Sequence, residues 1–166
     1  MPLTAVLVAI SVLIFIAMVA KGASVTQPTS DQLLRWGANF GPLTLTGQWW
    51  RLLTAMFVHI GLVHLALNMW CLWQLGLLAE YLYGPKTFLA LYVMSGLAAS
   101  IVSLARNPLV VTAGASGAIF GLAGALIATL PGEIGGAERR VAHQPAQLGG
   151  VRGVQPGIRI SNTRHR

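Results

Sequence analysis

The chain has 166 residues, 55% of them hydrophobic and 9% charged, with a mean hydropathy of +0.68. A soluble domain carries about 25% charged residues, so this composition excludes an ordinary water-soluble enzyme and indicates an all-α polytopic membrane protein. The net charge of +7 does not point to nucleic acid: six of the eleven basic residues lie beyond Pro131, and no basic stripe interleaved with aromatics precedes them.

The elements follow in chain order. Leu3 to Ala20 carries no charge and is long enough to span a bilayer. It lacks the basic leader and the small-residue cleavage site of a signal peptide, so a retained span over residues 3–20 is expected. Lys21 to Gln48 is a polar loop with turn signals at Gln27-Pro28 and Gly41-Pro42, and Leu33-Leu34-Arg35-Trp36 suits a short interfacial helix. A second span is expected over residues 55–83, closed by Gly84-Pro85, where glycine offers a stop and proline cannot continue the helix. A third, over residues 87–104, follows so closely that the two form an antiparallel pair. Arg106-Asn107-Pro108 ends it.

The fourth apolar run, residues 116–130, covers roughly 22 Å, less than the roughly 30 Å hydrocarbon thickness. A helix this short can begin below the membrane surface when its start lines a wet cavity. After Leu130 the character changes abruptly: residues 131–166 hold no aromatic residue, seven glycines and six arginines without a lysine. This stretch is expected to be disordered, and the break is sharp enough to read as a shift of reading frame.

Two polar features interrupt the apolar body. His64 and Asn68 are spaced i, i+4 and share one helix face, with His59 five residues before His64. Polar side chains at membrane depth are costly and face a protein interior or a cavity. Taken alone, either residue reads as structural glue between helices. The second feature is Gly114-Ala115-Ser116-Gly117, a small hydroxyl flanked by glycines at a helix start. It is not the Gly-x-Ser-x-Gly elbow of soluble hydrolases, because position 118 is alanine. Together the two features suggest proteolysis inside a membrane, with His64 and Asn68 lining a wet cavity with Ser116. Cys71 is the single cysteine, so no disulfide or thiolate metal site forms within one chain, and no cofactor is expected. Gly117, Gly121 and Gly124 make a small-residue seam that admits a close neighbour.

In order and combination these motifs resemble the rhomboid intramembrane serine proteases of bacterial type. The matching residues are Trp50-Arg51, then His59, His64 and Asn68 as His-x4-His-x3-Asn, then Gly76, Glu80 and Gly84, and finally Gly114 to Gly117. The similarity covers about residues 1–130, four of the usual six spans. The resemblance implies Ser116 as nucleophile, with its own N–H and the side chains of His64 and Asn68 stabilising the oxyanion. It implies transmembrane substrates cut near the outer face, a plasma-membrane location, and a cytoplasmic N-terminus and tail. The family's base is a histidine on the sixth span, in an Ala-His-x-x-Gly setting. Here only His143 and His165 lie downstream, in a tail expected on the opposite side of the bilayer from Ser116. The base is therefore expected to be absent and the chain truncated and inactive, with the glycine seam exposed to lipid or to another chain. The alternative is a non-catalytic rhomboid-like protein that binds transmembrane helices without cutting them.

Overall fold

The computed structural model describes residues 2–142, with side chains through residue 129. Six helices follow one another: α1 (Leu3–Ala20), α2 (Ser30–Arg35), α3 (Gly41–Thr44), α4 (Arg51–Thr54), α5 (Leu62–Arg106) and α6 (Ser116–Ala142). Among the described residues the one extended pairing is an isolated antiparallel bridge between Asn39 and Thr112.

Helix α5 has 45 residues. Straight, it would measure about 67 Å, more than twice the hydrocarbon thickness. Gly84 prevents that, with φ 77° and ψ 162° inside the run. A positive φ costs glycine little, and Pro85 supplies no N–H to the preceding turn. The result is two limbs, residues 62–83 and 85–106, each about 33 Å long.

Cross-helix contacts give the arrangement. Helix α1 runs antiparallel to the first limb: Thr4 packs on Gly76 and Glu80 at one end, and the Leu62 N–H donates to the Val25 carbonyl (2.8 Å) just beyond the other. Helix α6 runs antiparallel to the second limb, with Gly117 against Ala99 and Gly121 against Ser95, and Thr129 meets the hydroxyl of Tyr83 (2.9 Å) at the end of the first limb. His64 on the first limb and Ala99 on the second both meet the start of α6, so the limbs form a hairpin. The core between these helices comprises Leu7, Phe15, Leu65, Leu72, Phe88, Tyr92 and Leu122 among others. Outside it, Leu13, Trp70, Tyr81, Met94 and Phe120 are exposed. Helices apolar on their outer faces as well as their inner ones suit hydrocarbon rather than water. By length and composition, α1 and α5 are each able to cross a membrane, and residues 116–129 are a shorter apolar helix.

Several bounds differ from the sequence expectation. The second span begins at Leu62, not near residue 55. Residues 55–61 are apolar and look helical, but Gly61 (φ 88°) turns the chain there, packed against the Thr26 carbonyl. The third segment runs to Arg106 rather than 104. Helix α6 continues to Ala142 rather than ending near residue 130. Pro131 removes only one helical bond, and the Ala137-Glu138-Arg139-Arg140 stretch beyond it is a good helix former. The expected disorder over residues 143–166 lies outside the described residues. The glycine seam is also corrected. Gly117 and Gly121 face neither lipid nor another chain, because a methyl group on either would overlap Ala99 or Ser95. Only Gly124 is open, with no described atom within 4 Å of where a Cβ would sit.

Glu80 ties the bundle together by capping α1. Its carboxylate accepts from Leu3 N–H (2.7 Å), Thr4 N–H (2.9 Å) and the Thr4 hydroxyl (2.9 Å). A carboxylate at a helix N-terminus accepts charge-assisted bonds where the orphan N–H groups point. Glu80→Gln places an amide donor opposite these donors, and a loss of about 1.5–3 kcal/mol is expected. A clear fall in unfolding temperature in detergent, larger than that for Thr4→Val, is the expected result; an unchanged one contradicts this role.

Candidate active site

Ser116 is the first residue of α6 and is half-buried. The loop before it is held from both sides. Gly114 N–H donates to the Ala55 carbonyl (2.8 Å), while Thr112 and Asn39 exchange two backbone bonds of 2.9 Å each. Gly114 has φ 126°, and a Cβ there would sit 2.6 Å from His64 Cε1 and 3.1 Å from His64 Nε2. Glycine is required on both counts. Its absent side chain lets the His64 ring lie directly against the backbone two residues before Ser116.

The orientation of that ring follows from one bond. Ile60 N–H donates to His64 Nδ1 (3.3 Å). A backbone N–H can only donate, so Nδ1 accepts and the proton of the neutral ring sits on Nε2, the nitrogen beside Gly114. His64 therefore presents a donor toward the serine loop. Asn68, one turn on, is only 6% exposed, and its Nδ2 donates to the His64 carbonyl (2.8 Å) within the same helix. One amide hydrogen and the amide oxygen stay available. His59 is fully buried, with Nδ1 3.1 Å from the Phe57 carbonyl and its ring 5.6 Å from that of His64.

A cavity of about 370 Å³ opens at Ser116, walled by Gly114, Gly117, Ala99, Ser100, Ser103 and Ile60 among others. His64 and Asn68 are not among its lining residues. Ser116 lines this cavity, and Gly114, which also lines it, meets the His64 ring. Trp50 and Arg51 lie on the long loop between α1 and α5. Arg51 is buried, stacked under the Trp50 ring (4.7 Å), and donates to Gln48 Oε1 (2.7 Å) and the Leu34 and Ala38 carbonyls (2.8 and 2.9 Å). Burial lowers its pKa from the usual value. Among the described residues, no three His, Cys, Asp or Glu side chains gather as metal ligands.

The Rhomboid domain family model matches residues 46–143, more than half of the chain. The chain belongs to the rhomboid family. It is 41% identical to rhomboid protease GluP of Bacillus subtilis (strain 168) over 124 residues, 75% of this chain and 24% of that protein. It is 35% identical to rhomboid-like protease 2 of Toxoplasma gondii over 125 residues, 73% of this chain and 44% of that protein. It is 32% identical to rhomboid protease AarA of Providencia stuartii over 140 residues, 75% of this chain and 50% of that protein. The chain thus spans between a quarter and a half of the length of these relatives.

One residue at this rhomboid site escaped the sequence analysis. Asn39 is fully buried, donates from Nδ2 to the Ser100 carbonyl (3.2 Å) and accepts from the Thr44 hydroxyl (2.8 Å), while its backbone pairs with Thr112. It joins the first loop, α5 and the serine loop at one point. Its only sequence signal is a side-chain amide between turn-forming glycines, which an ordinary surface loop also shows.

Two outcomes follow. Asn39→Leu leaves the Thr44 hydroxyl and the Ser100 carbonyl unpaired and is expected to cost about 2–3 kcal/mol in detergent unfolding. In a Cys71→Ser background, a water-soluble maleimide should label Ser116→Cys fastest, His64→Cys more slowly and Leu72→Cys, which is fully buried, not at all. Equal protection at 116 and 72 would mean that the serine faces no water.

Proposed function

We propose that this chain carries the nucleophile and oxyanion site of a serine-type intramembrane endopeptidase that cuts transmembrane proteins. Ser116 attacks the scissile carbonyl, and His64 Nε2–H, the remaining Asn68 amide hydrogen and the Ser116 N–H stabilise the oxyanion. The observation that carries this reading is the Ile60-to-His64 bond, which leaves a histidine donor, not an acceptor, beside the serine loop. Preorganised donors of this kind supply a large share of catalysis in acyl transfer.

The same bond excludes His64 as the base. A base must accept the serine proton, and His64 Nε2 already holds one. His59 is buried, with Nδ1 3.1 Å from the Phe57 carbonyl and its ring 5.6 Å from that of His64. These are the histidines of residues 2–142, and His143 and His165 lie outside the described residues. We infer no base for Ser116 among the described residues, and serine systems without a base keep only a small residual rate, so the 166-residue polypeptide is proposed not to turn over substrate.

In this reading the two α5 limbs, α1 and α6 make four spans of a plasma-membrane protein. The N-terminus and the Gly84-Lys86 bend face the cytoplasm, and Ser116 lies toward the outer face. Gly41-Pro42, Trp50-Arg51 and Arg106 would then sit at the outer interface, where Trp and Arg are favoured.

A fluorophosphonate probe, which reports an activated serine, tests the assignment. The 166-residue chain is expected not to label. A version extended by two spans carrying Ala-His-x-x-Gly is expected to label, and Ser116→Ala to abolish that labelling. Strong Ser116 labelling of the 166-residue chain would overturn the account of the missing base. An extended version that binds transmembrane helices but never labels would overturn the catalytic reading in favour of helix binding alone.

A further inference from the structure

We propose that His59 is a positioning residue: its ring clamps the turn before α5 so that the Ile60 N–H meets His64 and holds that ring in its donor tautomer. The inference rests on the reading of His64 as an oxyanion donor and names the side chain that keeps it one.

The turn is held at both ends by backbone bonds. Phe57 N–H donates to the Thr54 carbonyl (3.0 Å), and Leu62 N–H donates to the Val25 carbonyl (2.8 Å). Between these anchors two histidine rings bond the backbone: His59 Nδ1 to the Phe57 carbonyl (3.1 Å) and His64 Nδ1 to the Ile60 N–H (3.3 Å). A carbonyl only accepts, so His59 Nδ1 carries a proton and donates. That bond reaches back two residues and restrains the backbone directly before the Ile60 peptide. At 3.3 Å the Ile60 bond is already long for an N–H donor, and a further shift of a few tenths of an ångström breaks it. Losing the restraint at His59 therefore frees the tautomer of His64.

Packing alone does not call for a histidine here. Burial pushes the His59 pKa down to about 4, so its ring is neutral at pH 7. With the proton on Nδ1, the other nitrogen is a bare acceptor. His59 is fully buried, and among the described residues no donor reaches its Nε2. An unpaired buried acceptor is unfavourable, and a phenyl ring would fill similar space without one. The nitrogen that does bond is the one that holds the turn. The two rings stand 5.6 Å apart and share no hydrogen bond, so the effect of one on the other runs through the backbone between them.

Side-chain nitrogen spectra of the full chain, labelled with 15N-histidine in detergent at neutral pH, test this. The His64 signals are those lost in His64→Ala. In the wild type His64 is expected to show a protonated Nε2 and an acceptor Nδ1, and His59 the reverse. His59→Asn, whose amide N–H sits where the Nδ1–H does, is expected to keep the His64 pattern. His59→Gln and His59→Phe place no donor there and are expected to lose it, both His64 nitrogens moving to intermediate shifts as the two tautomers mix. An unchanged His64 pattern in the Gln and Phe variants would overturn the proposal. So would its loss in the Asn variant as well, because ring packing and not the Nδ1 bond would then set the tautomer. Asn and Gln differ by a single methylene, so their contrast decides the matter even where His59→Phe folds poorly. The spectra do not involve the Ser116 hydroxyl, whereas fluorophosphonate labelling does, so failure of this inference is distinguishable from failure of the catalytic reading.

Discussion

The arrangement at the serine depends on one backbone contact, the Gly114 N–H to Ala55 carbonyl bond of 2.8 Å. It draws the loop before α6 onto the turn before α5, two segments nearly sixty residues apart in sequence. Once they touch, there is no room for a side chain at 114, and the His64 ring occupies that space. The turn over residues 55–61 meets three requirements here. Ala55 accepts the loop, Ile60 sets the proton position on His64, and Gly61 packs on Thr26 so that α5 starts in the right place. A helix running straight through residues 55–61, as the apolar sequence suggests, would direct the Ile60 N–H to its own backbone and leave His64 without a fixed tautomer.

The rest of the first loop acts as a brace around this contact. Arg51 satisfies the carbonyls at the end of α2, and Asn39 satisfies those of the serine loop and of α5. Each is buried and each makes several bonds, which is how a polar group becomes tolerable inside an apolar protein. Neither faces the reacting centre. Their effect is on position: a hydrolytic site works only when donors and nucleophile are held to a fraction of an ångström.

How much of this was legible in the sequence depended on the range of the interaction. Local patterns were readable. The uncharged run to Ala20 gave α1, the Gly84-Pro85 pair gave the bend in α5, and the i, i+4 spacing put His64 and Asn68 on one face. Features set by distant partners were not. The turn at Gly61 depends on the Val25 and Thr26 carbonyls, and the cover over Gly117 and Gly121 comes from Ala99 and Ser95. A small-residue stripe shows that something can pack closely but not what does. The Asn68 amide bonds back to the His64 carbonyl, a choice between two satisfied states that spacing does not distinguish. The serine motif itself carried the resemblance, yet the second-limb residues Gly96, Ala99, Ser100 and Ser103 that wall its cavity showed no such signal.

The central claim is that the start of α6 and the first turn of α5 meet across Gly114 in the folded chain. Disulfide-length cross-linking measures this directly. In a Cys71→Ser background, His64→Cys paired with Ser116→Cys is treated in detergent with a short bifunctional thiosulfonate. His64→Cys paired with Gly124→Cys, about two turns further along α6, serves as control. The account predicts rapid, near-complete intramolecular linking for 64–116 and little for 64–124. Equal linking of the two pairs, or none at 64–116, would contradict it.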